Sequence, residues 1–228
     1  MPMEFTLVQK IAVWALPVIF AITVHEAAHG YAARRLGDRT AQMLGRLSLN
    51  PLRHIDPLGT IIVPGILLLL GGFLFGWAKP VPVDYRNLKN PRRDMAIVAA
   101  AGPAANALMA IGWGLLLKLA LAFGAADGVW MGVRYMAVAG IVINLVLMVL
   151  NLIPLPPLDG GRVLTGLLPA RAAFQFAKLE RYGMFILLGL ILVPGLLGAI
   201  LYWPLTIAEF SLYTLLGINA STVLLSGS

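Results

Sequence analysis

The sequence predicts an all-α polytopic membrane protein: about four transmembrane helices, with a re-entrant segment and short β-strands at the cytoplasmic face. Three observations point there. Of 228 residues, 60% are hydrophobic and 12% charged, and the mean hydropathy is +0.87, values foreign to an ordinary water-soluble domain. The apolar residues gather into runs long enough to span a hydrocarbon layer of about 30 Å. The basic residues gather between those runs, 14 of the 17 lying within Arg34–Arg53, Lys79–Arg93 and Arg162–Arg181. A net charge of +7 distributed in this way reports topology, not nucleic-acid binding. All three basic stretches are expected in the cytoplasm, and the connection Gly124–Gly128, whose one charge is Asp127, outside. Residues 1–228 read as one integral unit of the cell membrane with its N-terminus outside. The absence of cysteine removes disulfides and thiolate ligands together, so a metal would fall to His, Asp or Glu.

The elements follow in order. The first span covers about residues 6–33, and its basic flank comes after the apolar run, unlike a cleavable signal peptide. Residues 41–56 place the turn formers Gly45, Asn50-Pro51 and Asp56-Pro57 around a brief Leu47/Leu49 alternation, which reads as a short strand and turns. Leu58–Trp77 is apolar enough to cross, but both its flanks are basic and Pro64-Gly65 and Gly71-Gly72 interrupt it; a re-entrant segment satisfies both facts. Lys79–Asp84 alternates valine with proline, which suits an edge strand to which an unwound substrate could add; a plain proline-rich connector is the competing reading.

Residues 94–122 form the second span. Small residues at 101–105 permit close helix packing, and Asn106 reads as interhelical glue or a functional polar group. The third span, about 131–152, returns to the cytoplasmic side, where Pro154, Pro156 and Pro157 end it and deliver Asp159 on irregular backbone. Ala170–Arg181 reads as a cytoplasmic amphipathic helix. Tyr182–Trp203 reads as a fourth span kinked at Pro194-Gly195, and Pro204–Leu216 as an interfacial helix on the outer face, the two together filling about 182–217.

Inside the first span lies His25-Glu26-Ala27-Ala28-His29. On a helix, imidazoles at i and i+4 share one face about 6 Å apart and can grip one metal, while the intervening glutamate reaches a water held there. On a soluble helix such a pair is often a satisfied core or surface feature. Within lipid, three ionisable side chains in five residues are costly and belong to a cavity or to one another. A catalytic zinc usually takes a third protein ligand. Asp159, returned to the same face, is the best candidate, with a helix N-cap for Gly160–Leu168 as its competing role. His54 and Asp56, on the cytoplasmic loop, are the rival ligands.

Three motifs together resemble the site-2 proteases, the intramembrane zinc metalloproteases: His-Glu-Ala-Ala-His-Gly at 25–30, Ala-Gly-Pro-Ala-Ala-Asn at 101–106, and Asn-Leu-Ile-Pro-Leu-Pro-Pro-Leu-Asp-Gly-Gly-Arg at 151–162. They span a catalytic core of about residues 8–168. Asn50–Gly59 further resembles the compact prokaryotic branch that lacks a PDZ domain. This chain departs from better-known members in having no span before the motif-bearing one and in the length of Leu58–Trp77. The resemblance implies that His25, His29 and Asp159 bind one zinc ion per chain, that Glu26 is the general base, and that Asn151 lies near the metal and steadies the oxyanion. It also implies a transmembrane protein or peptide as substrate, cut within or near its span in regulated intramembrane proteolysis, with the active site toward the cytoplasm. Anti-sigma factors and signal-peptide remnants are the substrate classes it suggests. An inactive metal-binding or scaffold protein of the same fold is the alternative, and Glu26, which a pure binding site does not need, argues against it. A di-iron oxidase would need more than the 3 histidines present.

Overall fold

Thr6 opens the first helix, α1 (Leu7–Leu36), with a reciprocal cap: its hydroxyl accepts the Gln9 N–H while the Gln9 side chain accepts the Thr6 N–H. Arg34 and Arg35 occupy the last turn, where cations complement the helix dipole. Gly37 then takes φ +120°, a conformation a side chain would strain, and the chain leaves the helix. The structure, a computed structural model, describes residues 6–54, 56–62, 79–123 and 129–219. Within them follow α2 (Thr40–Met43), α3 (Pro91–Phe123), α4 (Val129–Leu152), α5 (Asp159–Leu167), α6 (Ala170–Ala177), α7 (Glu180–Leu192) and α8 (Leu196–Leu216). Short 3-10 turns occupy Pro51–Arg53 and Tyr85–Asn87, and a π-helical turn occupies Pro57–Ile62. Among the described residues, four helices are long and apolar enough to cross a membrane: α1 from Ile11 onward, α3, α4 and α8.

Packing among these helices is that of a membrane bundle. Small residues such as Ala21, Ala99, Ala110 and Ala137 are buried, while Leu108 and Phe123 are 70% and 72% exposed. Lipid tails are as apolar as leucine, so helices gain by close approach at small residues, and the large side chains turn outward. At Gly140 the approach is close enough that an added Cβ would overlap the Trp113 ring. Asn106 bonds Ala21 O on α1, and His29 bonds Val98 O on α3, so these two helices run in opposite directions. The α3–α4 pair is likewise antiparallel, Asn106 meeting Asn144 at one level and Arg134 meeting Ala120 O at another.

Lys118 and Arg134, which lie outside the three basic stretches, have structural employment. Lys118 Nζ donates to Leu216 O, the last residue of α8, at 2.7 Å. Arg134 Nε donates to Ala120 O in the last turn of α3 at 3.4 Å. Each places a cation at a helix C-terminus, where unpaired carbonyls and the dipole favour it.

Four expectations are corrected or left open. No strand forms among the described residues. Lys79–Asp84 has no partner strand: Pro80 and Pro82 lack an N–H, the Val81 N–H goes to a Glu26 carboxylate oxygen, and the Lys79 and Pro80 carbonyls accept from Arg46. At Leu47/Leu49 the chain is likewise used locally, with Leu47 N bonding Ala41 O and Ser48 O accepting from His54. The C-terminal region divides elsewhere than expected. Gly195, at φ +77°, breaks the helix outright, leaving α7 with 13 residues, too short to cross, and α8 with 21. The fourth apolar span is therefore Leu196–Leu216, with Pro204 inside it, and Pro204–Leu216 is not a separate interfacial helix. Leu205 and Ala208 pack on the cluster that contains Leu212, Leu216, Leu117 and Ile141, which lays α8 along α3 and α4. The amphipathic helix ends earlier than expected, as α6 closes at Ala177. Of the run Leu58–Trp77, residues 63–77 lie outside the described residues, and so does the expected re-entrant path.

Candidate metal centre

The face of α1 that carries His25 and His29 is pressed against α3. Gly102 makes this possible: a Cβ there would stand 2.5 Å from His29 Nε2 and 2.6 Å from His25 Cε1. No side chain intervenes between the α3 backbone and the pair. His29 Nδ1 donates to the Val98 carbonyl at 2.8 Å, and His25 Nδ1 donates to Asn106 Oδ1 at 2.5 Å. Each ring thus carries its proton on Nδ1 and presents the lone pair of Nε2 inward.

Asp159 comes to the same point from the far side. The chain leaves α4 at Leu152, turns through Ile153–Leu158, and enters α5 so tightly that a Cβ on Gly160 would overlap Leu152 O and one on Gly161 would overlap Pro156 N. These two glycines are what the close return demands. The N-cap of α5 is Leu158, and no side chain caps the helix, so the capping role weighed for Asp159 is not the one it fills. Its Oδ2 lies 3.2 Å from His25 Nε2 and 3.3 Å from His29 Nε2, and the two Nε2 atoms lie 3.1 Å apart. His25 and Asp159 are 7% and 6% exposed.

Three electron-rich atoms therefore face one another in a buried triangle, and Asp159 Oδ2 has no hydrogen-bond partner. A tetrahedral ion with bonds of about 2.0–2.1 Å spaces its ligands about 3.3 Å apart. The observed edges of 3.1, 3.2 and 3.3 Å match that triangle. Two imidazole nitrogens and one carboxylate oxygen are also a donor set that zinc accepts. The residues present fit the ion.

The model of peptidase family M50 matches residues 119–194, a stretch that includes Asp159 but neither histidine. A relative extends the likeness along the chain: YwhC of Bacillus subtilis (strain 168) is 41% identical over 194 residues, covering 83% of this chain and 84% of its own. The chain belongs to peptidase family M50. Rip2 of Mycolicibacterium smegmatis is 31% identical over 201 residues, covering 86% of this chain and 73% of its own. Rip2 of Mycobacterium tuberculosis (strain H37Rv) is 32% identical over 200 residues, covering 86% and 72%. All three are candidate zinc metalloproteases by name. No solved structure matches the chain. The likeness to site-2 proteases, the metalloendopeptidase activity and the zinc cofactor expected from the motifs agree with the family.

In this M50 peptidase the remaining expected residues fall as follows. Glu26, between the histidines, stands outside the triangle, and its Oε2 accepts the Val81 N–H at 2.8 Å. Gly30, next after His29, lets that contact form, since a Cβ there would press on Val81 and Leu47 at 2.9 Å. Asn151, on the last turn of α4, donates from Nδ2 to Leu147 O of its own helix. His54 and Asp56 do not join the group: His54 Nε2 donates to Ser48 O, and Asp56 Oδ1 accepts the Gly59 N–H.

Sequence reasoning missed Asn144, and it placed Gly102 among the small residues that permit close packing without naming the histidines as what packs there. Asn144 is fully buried and bonds Asn106. A lone amide within an apolar span was the available signal, because polar groups at that depth are costly and rarely idle. Asn106 proves to be glue and site support together, joining α1, α3 and α4 while bonding a histidine of the triangle.

Proposed function

We propose that this M50 peptidase hydrolyses peptide bonds within or near transmembrane segments of other membrane proteins, with His25, His29 and Asp159 as zinc ligands and Glu26 as general base. The observation that carries the reading is the triangle of three lone-pair atoms at tetrahedral-ion spacing, flanked by a carboxylate that is not part of it. When bound, zinc supplies a Lewis acid for the scissile carbonyl and a water acidified to near neutrality. Glu26 would take a proton from the attacking water and pass it to the leaving amine nitrogen. The Val81 N–H holds one oxygen of Glu26 in place and so aims the other. Asn151, at the start of the loop that delivers Asp159, is assigned as oxyanion donor, its Nδ2 turning from Leu147 O toward the substrate.

Arg34 and Arg35 end α1 five and six residues beyond His29, and the basic groups on either side support an active site toward the cytoplasmic face of the cell membrane. A helical substrate shields its peptide bonds by its own hydrogen bonds, so its span must unwind before cleavage. Glycine or proline near the cut lowers the cost of that step.

The test is cleavage of a panel of single-span membrane proteins by purified enzyme in detergent, comparing wild type with Glu26→Gln. Loss of about a hundredfold or more in rate, with one zinc per chain in both proteins, is expected. Equal cleavage by both at equal zinc would remove Glu26 from the chemistry.

A further inference from the structure

Behind His25 a directed chain of hydrogen bonds runs across three helices. It begins at a backbone carbonyl: Asn144 Nδ2 donates to Gly140 O at 2.8 Å. Asn144 Oδ1 then accepts from Asn106 Nδ2 at 2.9 Å, and Asn106 Oδ1 accepts from His25 Nδ1 at 2.5 Å. A carbonyl oxygen can only accept, so the Asn144 amide has one permitted orientation, with its oxygen toward α3. That oxygen in turn permits one orientation of Asn106, with its oxygen toward the imidazole. Asn106 Nδ2 has a second acceptor, Ala21 O, but at 3.3 Å this contact is long. Asn106 and Asn144 are each fully buried, so water does not substitute for the missing partner.

We infer that Asn144 is a positioning residue: it acts through Asn106 to keep the His25 proton on Nδ1 and the Nε2 lone pair aimed into the triangle. With Asn144 removed, Asn106 is free to flip and present an NH2 group to His25. The ring proton then moves to Nε2, the atom that must be bare to bind a metal. The neighbour of a metal ligand commonly sets its tautomer and basicity, and loss of such a neighbour costs about 10–100-fold in metal affinity. Asn144 stands one residue further back, so its effect travels through the orientation of an amide and not through contact with the ring. This inference rests on the reading of His25 as a ligand.

The experiment measures cobalt(II) and zinc affinity of the full chain in detergent by competition with a chromophoric chelator, together with the cobalt d–d spectrum and the melting temperature without metal. Asn144→Ser keeps a hydroxyl for Gly140 O but cannot reach Asn106. Asn144→Asp, neutral in its buried setting, donates to Gly140 O and offers a carbonyl oxygen to Asn106. The serine variant is expected to bind about tenfold or more weakly with an altered cobalt spectrum, and the aspartate variant to recover most of the wild-type affinity and spectrum. Wild-type affinity in Asn144→Ser, whatever its melting temperature, would reduce Asn144 to an ordinary interhelical bond and overturn the inference. Equal losses in the serine and aspartate variants would overturn it as well. Absence of stoichiometric metal in the wild type would instead overturn the reading of the site.

Discussion

Val81 donates its backbone N–H to Glu26 Oε2 at 2.8 Å, across 55 residues of sequence. Pro80 and Pro82 flank it and have no N–H, so this residue supplies the donor that the proline-rich segment directs at the carboxylate. Val81→Pro removes the N–H along with the valine side chain, whereas Val81→Ala removes the side chain and keeps the N–H. A hydrogen bond to a charged group contributes about 1.5–3 kcal/mol, equivalent to about 10–100-fold in rate. We expect the proline variant to lose activity in that range with zinc content unchanged, and the alanine variant to lose far less. Equal activities, measured as cleavage rate per bound zinc, would show that the contact does not serve catalysis.

Gly102→Ala brings a methyl group to 2.5 Å from His29 Nε2. Inserting a methyl into a packed site costs about 1–3 kcal/mol, and the atoms nearest it here are those of the two imidazoles. We expect metal affinity to fall by an order of magnitude or more while the melting temperature without metal moves by only a few degrees. A variant that loses stability but keeps affinity would place the strain elsewhere.

Metal removal distinguishes the three proposed ligands from the rival loop residues. Dialysis against a chelator should abolish cleavage, and zinc should restore it. Asp159→Ala should leave less than one zinc per chain, whereas His54→Ala, whose ring nitrogen bonds Ser48 O, should keep the full complement. Metal content by mass spectrometry or absorption decides both.

Asp38 ties the end of α1 to the segment that carries Val81. Its Oδ1 accepts from Thr40 N, Thr40 Oγ1 and Asn87 Nδ2, and its Oδ2 accepts from Asp84 N. Burial pushes this carboxyl up, and the donors from Thr40, Asn87 and Asp84 outweigh it, holding it below the ordinary value of 3.8. A folded-state value below the unfolded one means that the stabilisation is complete above 3.8 and is lost as pH falls through the lower folded value. Wild type should therefore lose melting temperature on acidification below about pH 4, and Asp38→Asn should be less stable at neutral pH by about 1–3 kcal/mol with a flatter acid limb. Parallel acid limbs for the two proteins would contradict this.

Much of the site is visible in the residues themselves, because its chemistry is carried by side chains that membranes seldom tolerate. His25, Glu26 and His29 stand out on an apolar helix, and three prolines announce where Asp159 returns. What stays hidden depends on partners. Lys79–Asp84 has the alternation of a strand, but its N–H finds a glutamate and its carbonyls an arginine, facts that no local pattern encodes. The break at Gly195 lies beside Pro194 and ahead of Pro204, and only the packing of Leu205 and Ala208 on α3 and α4 decides that the second proline is absorbed while the glycine ends the helix. Asn144 looks like one more interhelical amide until the direction of its bonds is followed to His25.

Gly183, near the start of α7, has no room for a side chain because Pro156 O lies against it, which wedges α7 behind the loop that carries Asp159. Synthesis proceeds from the N-terminus, so His25, His29 and Asp159 are all translated before the helix that backs the Asp159 loop. A nascent chain holds these three residues before α7 exists, so the loop that carries Asp159 gains its contact at Pro156 only once Gly183 has been made. The packing behind Asp159 is thus the last part of the site to be synthesised.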